Sequence, residues 1–182
     1  MYHFILGRYT NQELSNYTHF QLSQIPELEF VYDRTRQDVE YVIELTRKYQ
    51  KGTITDEEKE IWMGGIKGSL NAGDLNRNEF NISFISTMIS VEVEERPDTW
   101  TAKDIPHAED YERIRNNVQK IRDGWVQLPG MPPVPQRPLN TFDKWNDIEK
   151  ILHDIYHLYM RIQSSYYQCG EGLYAGEEVG EL

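Results

Sequence analysis

The chain has 182 residues, of which 38% are hydrophobic, 27% charged and 12% aromatic. That length suits one domain able to bury its own core, and the aromatic content excludes a disordered chain. Thirty acidic against 19 basic residues give a formal net charge of −11; the resulting field repels phosphate backbones and anionic lipid, so neither nucleic acid nor a membrane is expected as a partner.

Residues 1–32 scatter Phe4, Tyr9, Tyr17, Phe20, Ile25 and Phe30 without helical period among Asn, Gln, Ser and Thr. β-Branched and aromatic residues favour extended backbone, and Pro26 bars a helix through its own position, so an extended N-terminal arm is expected. Such an arm either covers its own domain or docks onto another chain. The opening MYHFILGRYTNQEL has neither a basic leader nor a long apolar core, and no segment is apolar for long enough to span a bilayer, so no signal peptide and no membrane span are expected.

A helical domain is expected over 33–128. Thr35 with Asp38 reads as a capping box opening a first helix, which carries Val39, Val42, Ile43, Thr46 and Tyr49 on one face and stops at Gly52. Thr55 with Glu58 opens a second, with Ile61, Trp62, Ile66 and Leu70 facing inward. Gly64, Gly65 and Gly68 weaken that helix by roughly 1 kcal/mol each against alanine, which points to close backbone packing or a bend.

A third helix is expected from Asp74 as cap, burying Leu75, Ile82, Ile85 and Ile89 and extending toward Val93. Residues 98–107 form a linker anchored by Trp100 and Ile105. The fourth helix, opened by Glu109 or Asp110, repeats Tyr111, Ile114, Val118, Ile121 and Trp125 in steps of three and four. Five prolines between Pro129 and Pro138 mark 129–139 as a stiff connector.

The last helix, 140–168, carries the strongest period: Trp145, Ile148, Leu152, Ile155, Tyr159, Ile162 and Tyr166 keep the three-four step throughout. Residues 169–182 are glycine-rich and acidic and read as a loosely ordered tail. The expected fold is therefore all-α, about five helices in a bundle with a long C-terminal helix and an extended aromatic arm. Weak self-similarity runs through it: Asp74, Arg77, Asn81 and Ile85 recur as Asp110, Arg113, Asn117 and Ile121, 36 positions on, so two helices are expected to play equivalent parts.

No catalytic, cofactor-binding or metal site is expected. His153 and His157 stand at i and i+4 in HDIYH, the spacing of a zinc motif, but helical phase turns them away from the seam of Leu152, Ile155 and Tyr159 and leaves them solvated. The carboxylate pairs Glu57/Glu58, Glu94/Glu95 and Glu177/Glu178 lie at helix ends or in the tail, not in opposed environments in a cleft. Cys169, the only cysteine, has no histidine near in sequence; its solitude excludes a disulfide framework and fits synthesis in a reducing cytoplasm. The acceptor pattern Asn16-Tyr17-Thr18 has no meaning without secretion. Phosphate-binding loops and nucleophile elbows are absent. The residues expected to meet a partner or a second copy are Phe4, Tyr9 and Phe20 of the arm, and Trp145, Ile148, Leu152, Ile155, Tyr159, Ile162 and Tyr166 of the seam.

Several stretches, VYDRTRQDVEYV, GTITDEEKEIWMGGIKGSLNAGDLNRNEFNISFI, TWTAKDIPHAEDYERIRNNVQKIRD and YYQCGEGLYAGE, cover most of 31–177. They resemble a helical family of tail-fibre and baseplate proteins from phages and prophages of Gram-positive bacteria. The turn from Asp74 to Arg77 and the linker at Trp100 and Asp104–Pro106 carry the resemblance most clearly, while Glu79 stands one position from the family's glutamate. The resemblance implies a non-enzymatic virion part in the phage tail, a homo-oligomer contacting other tail proteins and needing no cofactor. The alternative it leaves is a host-receptor or carbohydrate-binding module of the same tail, for which the tyrosines near Tyr166 and Tyr167 could contact a cell-surface glycan.

Overall fold

The structure, a computed structural model, describes the backbone of residues 26–170 and the side chains of 26–165. Five helices account for its regular structure: α1 (Arg36–Lys51), α2 (Asp56–Gly64), α3 (Ala72–Met88), α4 (Ala108–Asp123) and α5 (Phe142–Gly170). No strand occurs among the described residues. The described residues divide into two units, one of 28–155, the other holding 26–27 and 156–170. The proline-rich segment and the first half of α5 thus belong to the same unit as α1–α4.

Local chemistry sets the helix ends. Thr35 and Asp38 form a reciprocal capping box at α1, as do Thr55 and Glu58 at α2. Gly52 ends α1 at φ 68°, and the bond from Thr53 N to Lys48 O at 2.9 Å closes a Schellman-type turn that a side chain at Gly52 would strain. The third helix is capped three residues before the expected position: Asn71 is the N-cap and Asp74 its box partner, because Asn also caps well and lies one turn upstream. It stops at Met88, so Val93 lies beyond it.

The hairpin of α1 and α2 is lightly packed. Only Leu45 is buried on α1, whereas Ile43 and Tyr49 are exposed, so the inward face is turned from the expected one. On α2 no residue is buried; Ile61 is exposed, Trp62 stacks on Tyr49 at 4.6 Å, and Ile66 and Leu70 fall after the helix. Trp62 Nε1 donates to Thr46 Oγ1 at 3.3 Å and Lys48 pairs with Glu58 at 2.6 Å. The expectation of close backbone packing holds at Gly68, where a Cβ would stand 2.2 Å from Asp38 O.

The core lies among α3, α4 and the first half of α5. Leu75, Ile82 and Ile85, Ile114, Val118 and Ile121, and Trp145, Ile148, Ile151, Leu152 and Ile155 are all buried. These apolar faces supply the main stabilisation, roughly 1.5–3 kcal/mol per buried large side chain. Trp100 anchors the linker as expected; Ile105 does not, being 77% exposed. The proline-rich segment buries Met131, Val134 and Leu139, and Arg115 and Arg122 donate to Pro135 O and Pro132 O at 2.8 and 3.0 Å, which ties it along α4. In the second unit Tyr156 OH donates to Pro26 O at 2.9 Å.

Candidate functional site: a repeated polar clamp

Charged residues with helical neighbours normally face water, because removing an ion from water costs several kcal/mol. Here Glu149 of α5 is 0% exposed, Arg34 5% and Asp74 8%. Two guanidinium groups and two carboxylates offset that cost together. Arg34 donates to Glu149 at 2.8 Å and lies 3.4 Å from Asp74; Arg77 donates to Asp74 at 2.7 Å and to Glu149 at 3.1 Å. Asn78 donates to Glu149 at 3.3 Å. Burial by itself would lower the Arg77 pKa, but Glu149 and Asp74 outweigh it and raise it.

The cluster fixes a non-helical strap, Leu28–Arg34, in the groove between α3 and α5. Val31 N donates to Glu149, Asn81 Nδ2 donates to Glu29 O at 2.9 Å, and Arg34 donates from its side chain to Val31 O. Asn146 takes both backbone groups of Arg34, accepting from its N at 3.1 Å and donating to its O at 2.8 Å. Side chains thereby do for this backbone what a neighbouring strand does in a sheet.

The same arrangement recurs between α4 and α3. Asp110 accepts from His107 N at 2.9 Å, as Asp74 accepts from Asn71 N at 3.2 Å. Arg113 donates to Glu79 at 2.8 Å and lies 3.8 Å from Asp110, as Arg77 serves Glu149 and Asp74. Glu79 holds the Arg113 pKa up, and burial only partly opposes it. Arg96 approaches Asp110 at 3.2 Å, in the place of Arg34, with its guanidinium 3.6 Å above the Trp100 ring. Asn117 takes Glu94 N at 2.9 Å and Glu94 O at 2.7 Å, and Asn76 takes Trp100 N at 2.7 Å and Trp100 O at 2.9 Å. The 36-residue repeat is therefore a repeat of roles. Helix α3 presents Asp74, Arg77 and Asn81 to one groove and Asn76 and Glu79 to the other.

The arrangement neutralises buried charge and holds backbone. It was half legible: the matched Asp, Arg and Asn signalled one side of each clamp, but Arg34, Asn76, Glu79, Asn146 and Glu149 on the other side carry no local signal.

His153 is not solvated as its helical phase predicts. Its side chain is 25% exposed, its ring lies 5.5 Å from Phe30 and 4.7 Å from Tyr32, and its Nδ1 is 3.0 Å from Asp154. The strap covers it, which helix periodicity alone does not reveal. His157 is exposed, edge-on to Tyr156 at 5.1 Å. Among the described residues no three His, Cys, Asp or Glu side chains are grouped to hold a metal. None of the described helices is long and apolar enough to cross a membrane.

Of the residues expected at an interface, Trp145, Ile148, Leu152 and Ile155 are buried within the chain's own fold. Tyr159 and Ile162 are half-buried. Phe4, Tyr9 and Phe20, and the side chain of Tyr166, lie outside the described residues.

Over the described residues the fold is all-helical, and paired polar clamps lock non-helical straps between helices. Comparison with protein families, with characterised proteins and with solved structures finds no match.

Proposed function

We propose that the chain is a non-enzymatic structural component of a phage tail, of the tail-fibre or baseplate kind, working through assembly with other tail proteins. The observation that carries the reading is where the resembling residues fall. Asp74 and Arg77 sit in the buried ion cluster, Trp100 is gripped by Asn76, and Asp104 caps Thr101 N at 2.7 Å. The motifs that resemble tail proteins are thus spent on architecture, as expected where the shared property is a shape rather than a reaction.

The test is immunogold labelling of tailed particles released by cells that make the chain, using antibody raised against the purified chain. Label confined to the tail is the expected result. Particles that carry none, from lysates in which the chain is abundant, would contradict the proposal.

A further inference from the structure

The α3/α5 and α4/α3 grooves hold their straps with the same chemistry but through different connections. The strap at Glu94–Trp100 follows α3 directly and leads into α4, both walls of its own groove. The strap at Leu28–Arg34 leads away into α1, and 37 residues, 35–71, separate it from the nearer wall. A clamp that works with either connection recognises its strap locally, through backbone groups and one inserted arginine.

We propose that the α3/α5 groove is a peptide-binding site whose partner is the Leu28–Arg34 strap of a second copy of this chain. Recognition rests on three things: Arg34 entering between Asp74 and Glu149, the backbone of Glu29, Val31 and Arg34 meeting Asn81, Glu149 and Asn146, and Leu28 buried beside them. A strap arriving from another chain satisfies all three equally. Between α2 and α3 the chain can turn at Gly65, which stands at φ 91°. Exchange of this kind links copies without any new surface. It does not rest on the tail reading, because it holds or fails with the purified chain alone.

Tagged and untagged wild-type chains are refolded together at high concentration and recovered on the tag. Mixed species are expected, and excess synthetic peptide of residues 26–36, PELEFVYDRTR, present during refolding suppresses them. The same peptide with Arg34→Ala competes about tenfold or more weakly, since even one of the buried charged hydrogen bonds that Arg34 makes to Glu149 and Asp74 is worth that much. Failure to form mixed species, or equal competition by the two peptides, overturns the proposal. As a second measurement, the Arg34→Ala chain binds fluorescent wild-type peptide and gains thermal stability from it; a folded variant that ignores the peptide also overturns it.

Discussion

Arg77 on α3 and Glu149 on α5, 72 positions apart, meet at 3.1 Å, and Arg113 on α4 meets Glu79 on α3 in the same way at 2.8 Å. The two pairs differ in burial: the Glu149 side chain is 0% exposed and that of Glu79 17%. A carboxylate removed from a buried cluster leaves its guanidinium partners unpaired, whereas a partly wet site rehydrates. Glu149→Ala is expected to cost about 3–5 kcal/mol and Glu79→Ala about 1–2 kcal/mol. Urea unfolding followed by circular dichroism measures both, and equal losses would contradict the difference in burial.

Asn81 and Asn117 occupy matching positions and are both 1% exposed. Asn81→Ala leaves Glu29 O without its donor, and Asn117→Ala leaves both Glu94 N and Glu94 O without partners. Each substitution is expected to cost about 1–3 kcal/mol, with Asn117→Ala the larger. The same unfolding measurement reads them, and a neutral Asn117→Ala would mean that the clamp bears no load.

The glycines of α2 and its exit should part company. At Gly68 an added methyl meets Asp38 O at 2.2 Å, while at Gly64 nothing lies within 4 Å. Gly68→Ala is expected to destabilise by about 1–3 kcal/mol through overpacking. Gly64→Ala is expected to stabilise by about 0.4–1 kcal/mol by restricting the unfolded chain. Melting temperatures of the two variants check this directly.

Two aspartates of α5 should respond to pH with opposite signs. Burial, with Asp143 nearby, raises the Asp147 pKa, so the fold disfavours its charge and the penalty is present above that pKa. Asp147→Asn should therefore raise the melting temperature at neutral pH, with the gain vanishing as acid protonates the wild type. Burial pushes Asp154 up as well, but hydrogen bonds from Lys150 and His153 outweigh it and lower its pKa. Its contribution is present above the ordinary carboxylate range and is lost as pH falls through the lowered value. Asp154→Asn should lower the melting temperature at neutral pH, with the difference closing in acid.

Much of the fold is legible because its signals are local. The Thr35–Asp38 and Thr55–Glu58 boxes fix two helix starts within a single turn of sequence, and the seam of α5 declares its own buried face. Where two residues could cap, the choice slips: Asn71 takes the role read for Asp74, and His107 precedes Asp110. Phase on α1 slips as well, because Leu45 takes the buried place among several competing apolar residues. The clamp is the least legible part. Arg34, Asn146 and Glu149 look like surface residues until the strap brings them together, and the strap likewise hides His153.

The side-chain clamps hold both straps as firmly as a sheet would hold a strand. Native-state hydrogen exchange at the amides of Val31 and Arg34 in one groove, and Glu94 and Trp100 in the other, tests it most directly. All four should exchange only through global unfolding, with protection matching that of the α3 core amides. Exchange at these amides through low-energy local opening, while the α3 core stays protected, would contradict the account.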